Sequence, residues 1–206
     1  MHPAPVDQAV ATTMGLRLRR WVAGRGPRQW WKTALVAILA VTALFGGLDT
    51  VDTSVTEVKP GEEFSDGEFT LTIERATLVP EVRSGTSTLA AAKPGRRYLG
   101  VVATLRNDGT IPGKLTYEID LRDQPDDEFV GVMRLADGSR ILSLGPGLQE
   151  QLAFVWELPE DAVTVDDAVT LRVWRKQFKQ GFAIYGELWV DTADYFQLAL
   201  PVKVAP

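Results

Sequence analysis

Acidic residues crowd one stretch of this chain, where Asp123, Asp126, Asp127 and Glu128 fall within six positions. Hard oxygen donors at that density could hold a Ca²⁺ ion, and paired carboxylates could do acid–base work. The spacing fits no EF-hand loop, because the glycine of its sharp turn is missing, and a charge run between strands usually marks a solvated face. A second group lies nearer the C-terminus. Phe178, Phe182, Tyr185, Trp189, Tyr195 and Phe196 sit beside Arg172, Arg175, Lys176 and Lys179 in an otherwise acidic region. Aromatics mixed with Arg at a surface are typical of protein interfaces and suit anionic glycans. The same residues could equally pack an aromatic hairpin onto a sheet, leaving the lysines on its wet side. Residues for other chemistries are scarce: there is no cysteine, and the single histidine is His2. Ser-His-Asp and Cys-His catalysis and the usual zinc ligand sets are thereby excluded beyond the N-terminal tail. The expectation is a protein that is not an enzyme and needs no cofactor.

The element that sets the compartment is a sixteen-residue run without charge, TALVAILAVTALFGGL, between Lys32 and Asp49. At about 1.5 Å per residue it reaches roughly 24 Å, a little short of a hydrocarbon core of about 30 Å. Trp30 and Trp31 extend it at the headgroup level, and Lys32 can snorkel. Arg17, Arg19, Arg20, Arg25, Arg28 and Lys32 precede it against one acid, Asp7. Basic residues stay cytoplasmic, so the remainder is expected outside the plasma membrane. The expectation is a single-pass signal anchor in the bilayer through residues 30–48; a cleaved export signal ending near Val41-Thr42-Ala43 is the competing reading. Residues 1–29 then form a flexible basic tail, 49–63 a polar spacer, and 64–206 one extracytoplasmic domain. Of 22 basic and 27 acidic residues, 16 and 26 follow position 32, a net charge of −10 that disfavours nucleic acid. Without disulfides, this domain must hold itself together by its core.

Beyond Pro60-Gly61 the apolar residues recur with period two, the signature of strands. Phe69, Leu71 and Ile73 alternate with polar neighbours, as do Leu115, Tyr117, Ile119 and Leu121. Leu99, Val101, Ala103 and Leu105 have apolar residues on their other face as well, which predicts a central strand covered on both sides. Further strands are read over Phe129–Leu135 and Arg140–Leu144, joined by Ala136-Asp137-Gly138-Ser139, where Asp-Gly signals a hairpin. Leu152, Phe154, Trp156 and Leu158, then Val169, Leu171 and Val173, and finally Phe196 to Val204, complete the set. Pro80–Arg97 is left as a long loop of polar and small residues, a length at which loops are functional or disordered. Seven to nine short strands predict an all-β fold, an antiparallel β-sandwich, behind one transmembrane helix.

Three segments, PGEEFSDGEFTLTIERA, RRYLGVVATLRNDGT and SLGPGLQEQLAFVWELPED, resemble the exported immunoglobulin-like domains of bacterial lipoproteins and membrane-anchored proteins of unknown function. Pro60, Tyr98, Asn107, Gly147, Phe154 and Pro159 stand at the matching places, and the resemblance runs from about Glu57 to Val165. It implies an immunoglobulin-like sandwich in a cell envelope and says little about activity. A lipobox cysteine is absent, so the helix would be the anchor. Together these readings predict a binding or accessory module that partners an envelope membrane complex such as a transporter. Its interface residues would be Arg172, Arg175, Lys176, Phe178, Lys179, Phe182, Tyr185 and Trp189. The alternative is a sensor that binds a glycan or Ca²⁺.

Overall fold

The computed structural model describes residues 53–180 and 186–204, together with Ile38. The expected basic tail, the anchor with Trp30, Trp31 and Lys32, and the aromatic residues Phe182 and Tyr185 lie outside the described residues. Among those described, no helix is long and apolar enough to cross a membrane. A compact unit spans Asp52–Pro206.

Its strands form two layers. In one, β8 (Asp120–Arg122), β12 (Ala168–Gln180) and β13 (Glu187–Val204) run antiparallel, and β1 (Val55–Glu57) adds in parallel to β13. In the other, β2 (Glu63–Ser65), β3 (Phe69–Val79), β6 (Arg96–Asn107), β11 (Gln149–Pro159) and β9 (Glu128–Arg134) are antiparallel neighbours. The two layers are continuous, because the end of β13 leaves β12 and pairs in parallel with β3 through Val202–Val204. Two short pairs complete the set: β4 (Val82–Ser84) with β5 (Ser87–Ala90), and β7 (Gly113–Lys114) with β10 (Ser143–Leu144). The fold is a β-sandwich. β1 falls within the segment 49–63 that reads as a spacer, and its pairing with β13 joins that part to the sheet.

The core follows from the alternation. Phe69, Leu71 and Ile73 of β3, Leu99, Val101, Ala103 and Leu105 of β6, and Leu152, Phe154, Trp156 and Leu158 of β11 face Val169, Leu171 and Val173 of β12 and Phe196, Leu198, Leu200 and Val202 of β13. Each fully buried side chain of this size contributes about 1.5–3 kcal/mol, which lets a cysteine-free domain hold together. A bulge between Ile73 and Arg75 shifts the phase of β3, so that Ala76 and Leu78 continue the buried face.

β6 is covered on both sides, as its composition predicts. On its outer face Tyr98 packs with Met133 and Val155 beneath Val82 and Ala90 of the β4–β5 hairpin. The Tyr98 hydroxyl donates to Ala91 O at 2.9 Å. Most of Pro80–Arg97 is therefore a cover for the sheet. The expected strand over Leu115–Leu121 is not one. Only Asp120–Arg122 is extended, and residues 115–119 form a turn that buries Leu115 and Ile119 and exposes Tyr117. Alternation misleads here because a turn can also bring residues four apart to the same side. Likewise, only Ser143–Leu144 of the expected Arg140–Leu144 strand forms a ladder, with one bridge from Arg140 to Met133.

Candidate functional site

Inward residues of β12 alternate as Val169, Leu171 and Val173, which would place Arg175 inside next. A register shift between Trp174 and Lys176 interrupts this order. The extra residue turns Arg175 outward and sends Lys176 into the protein. The Lys176 backbone N–H donates to Asp66 O at 2.6 Å. Its ammonium lies among three carboxyl groups: Glu118 in direct hydrogen bond, Glu68 at 3.0 Å and Asp66 at 3.5 Å. The Lys176 side chain is 10% exposed and that of Glu118 2%. The ring of Phe69 closes the site, with the ammonium 4.9 Å from its centroid.

Two turns deliver the carboxylates. Asp66 Oδ1 accepts hydrogen bonds from the N–H groups of Glu68 (2.7 Å) and Phe69 (2.6 Å), an Asx-type turn that caps the start of β3. Gly67 sits in that turn at φ +114°, against the backbone carbonyl of Lys176, where a Cβ would collide. Glu118 arrives from the 115–119 turn, whose Tyr117 holds φ +64°. That conformation is costly for a bulky residue. Sequence alternation assigns Glu118 to the polar face of a strand; the turn instead places it inside. Asp66, Glu68 and Glu118 are the site residues that sequence reasoning missed. Their signal was faint: an Asp-Gly turn before β3, and a buried base that needed partners.

The electrostatics of the cluster follow from its burial. Three carboxyl groups surround one ammonium, so the cluster holds uncompensated negative charge unless two of the carboxyls are neutral. Burial, then a hydrogen bond to the neighbouring Asp66 carboxyl, push Glu118 well above the usual carboxylate range. Asp66 Oδ2 and Glu118 Oε1 are buried and receive no hydrogen bond from any other described group. Burial also raises Glu68, against the pull of Lys176. For Lys176 burial alone would favour the neutral amine, but Glu118, Asp66 and Glu68 outweigh it and hold the group protonated above the ordinary lysine range. A lysine locked in this way is neither a general base nor a nucleophile. It is a clamp that ties β12 to two turns of the sandwich.

The other residues marked by the sequence separate into three places. On the outer face of the β12–β13 layer, Arg172 grips Asp120 through Nε (3.2 Å) and Nη2 (2.8 Å). Trp174 Nε1 donates to the same carboxylate oxygen at 3.1 Å. The Arg172 guanidinium lies 4.1 Å from the Trp174 ring centroid and 5.6 Å from that of Tyr195. Arg175 is apart from that face: it donates to Thr56 Oγ1 of β1 at 3.3 Å and lies 4.3 Å from the ring centroid of Phe196, a core side chain. Farther along, past the clamp, β12 and β13 continue as a ribbon in which Gln177–Gln180 pair with Glu187–Val190. No other described strand pairs with this part. Phe178 and Trp189 face each other across it, rings 5.1 Å apart, and Lys179 stands opposite Leu188. Phe178, Leu188 and Val190 are 38%, 38% and 37% exposed.

Asp123, Asp126, Asp127 and Glu128 are exposed in the loop before β9 and at its start, with Asp123 and Asp126 at φ +59° and +58°. Among the described residues no group of three or more His, Cys, Asp or Glu side chains could hold a metal ion, this loop included.

No family model matches the chain, and no curated protein does. Among solved structures it is similar to an uncharacterized β-sandwich protein from Clostridium difficile 630. The TM-score is 0.50 at 15% identity, over 73% of this chain and 97% of that one. A conserved hypothetical protein from Bacillus anthracis (TM-score 0.34, 15% identity, 55% and 85% covered) and the yjhA protein from Bacillus subtilis (0.33, 16%, 71% and 99%) also match. At such identities the first likeness shows the fold alone: a β-sandwich.

Proposed function

We propose that this chain is a non-catalytic binding module, an immunoglobulin-like domain held outside a plasma membrane by residues 30–48. Its β12–β13 ribbon docks on a membrane or envelope protein such as a transporter. One observation carries the reading: the ribbon runs on past the strands that pair with it, with Phe178, Leu188 and Val190 exposed where no other described strand adds to its edges. Open strand edges and apolar side chains together are what a partner chain covers. The clamp at Lys176 supports the same reading, because a ribbon fixed at its base loses less freedom on binding. That the ionisable cluster is spent on clamping fits a module that binds and does not catalyse. A pulldown of the full chain in mild detergent tests the reading. Wild type should recover an integral membrane protein that a Leu188→Glu, Val190→Glu double variant loses, with the thermal midpoint of the domain kept. Recovery of the same companions by both proteins, or of none by either, would refute it.

A further inference from the structure

The turn that carries Glu118 inward carries Tyr117 outward, into a cleft of about 590 Å³ between residues 117–122, the start of β9 and Arg172 of β12. We propose that this cleft binds a neutral oligosaccharide, with one sugar ring stacked on Tyr117. Four observations lead there. Tyr117 is 69% exposed, although its backbone holds the unfavourable φ of +64°. A large aromatic ring kept in water at a strained position is a better candidate for contact than for packing. The ring is also propped: Phe129 lies 5.5 Å behind it, and the buried Trp156 lies 5.5 Å behind Phe129. Because Glu118 is locked to Lys176, the adjacent Tyr117 has its backbone fixed before any ligand arrives, which lowers the ordering cost of binding.

Polar groups line the rest of the cleft. Arg172 is pre-oriented by Asp120 and by stacking on Trp174, and Arg122, Asp127 and Glu128 add one more guanidinium and two carboxylates. Two guanidinium groups stand against three carboxylates, one of which is already paired with Arg172. A cationic ligand would meet two guanidinium groups and an anionic one three carboxylates, so a strong charge of either sign meets repulsion. A neutral sugar suits it: hydroxyl groups both donate and accept, and the C–H face of the ring offers apolar surface to Tyr117. The acidic loop and the basic aromatic strand, separate in the sequence, thus contribute Asp127, Glu128 and Arg172 to one place. No ribbon residue lines this cleft, although Tyr117 also borders a neighbouring cleft that Leu188 and Trp189 line.

The test is saturation-transfer NMR on the full chain, in a detergent without a sugar headgroup, with cellotetraose and chitotetraose as probes. Tetramethylammonium and tetragalacturonate serve as charged controls. The proposal expects transfer to at least one neutral tetramer, and an affinity at least about tenfold weaker in both Tyr117→Ala and Tyr117→Gly. The glycine variant suits the left-handed backbone position, so it separates loss of the ring from loss of the fold. No transfer to either neutral tetramer at about 10 mM would overturn the proposal. Undiminished binding in Tyr117→Gly, or binding only of a charged control, would overturn it as well.

Discussion

Replacing Glu118 by Gln keeps the shape of the clamp and removes its titration. Glu118 and Glu68 are both raised above the ordinary carboxylate value of 4.5 in the folded protein, Glu118 by burial and the Asp66 carboxyl, Glu68 by burial. A carboxyl with a raised folded pKa contributes stability that is complete below its unfolded pKa and is lost as pH rises through the folded one. Lys176, raised above 10.5, stays charged throughout that interval and adds no slope of its own there. In the interval between the two pKa values each such group lowers stability by up to about 1.4 kcal/mol per pH unit. Urea denaturation at about pH 5 and pH 8 should therefore show a larger loss for wild type than for Glu118→Gln. Equal losses would mean that Glu118 does not hold its proton in the native state. Tyr117 offers a second measurement. Tyr117→Gly and Tyr117→Ala both lack the ring and differ mainly in backbone strain, so the glycine variant should be the more stable by about 1 kcal/mol.

At the scale of elements, the bulge in β12 and the β4–β5 hairpin decide what the sheets can present. Tyr98→Phe removes the hydroxyl that ties Ala91 to β6 and should cost about 1 kcal/mol in denaturant unfolding, with faster proteolysis within residues 82–90. Unchanged stability and cleavage would show that the hairpin is held by its apolar contacts alone. The long strands were legible in the sequence because each presents an apolar face with period two: Phe69 to Ile73, Leu99 to Leu105, Leu152 to Leu158 and Val169 to Val173 are all buried as the pattern requires. What period two cannot show is a change of phase. The bulge before Lys176 sends inward a lysine whose neighbours, read alone, suggest a basic surface. The turn at 115–119 has an alternating composition, yet Glu118 goes inside, where the Lys176 ammonium meets it. Of the marked residues, Arg172, Arg175, Lys176, Phe178, Lys179 and Trp189 all lie on the β12–β13 pair, but on different sides of it. Long-range partners such as Asp66 and Glu68 become visible only when the strands are paired.

For the whole molecule, the sandwich positions two features that local sequence does not relate. The clamp binds the 66–68 and 115–119 turns to β12, and that fixed base carries both the ribbon and the exposed Tyr117. The likeness to an uncharacterized β-sandwich protein, at 15% identity, is a likeness of scaffold. What this chain does with the scaffold is decided by the side chains placed on it. The most direct measurement of the docking proposal is position-specific photocrosslinking in intact membranes. A photoreactive residue would replace Leu188 on the ribbon or Leu142, which is 68% exposed between β9 and β10. One discrete adduct with an integral membrane protein is expected from position 188 and none from position 142. Adducts of the same pattern from both positions, or no adduct from position 188, would contradict the proposal.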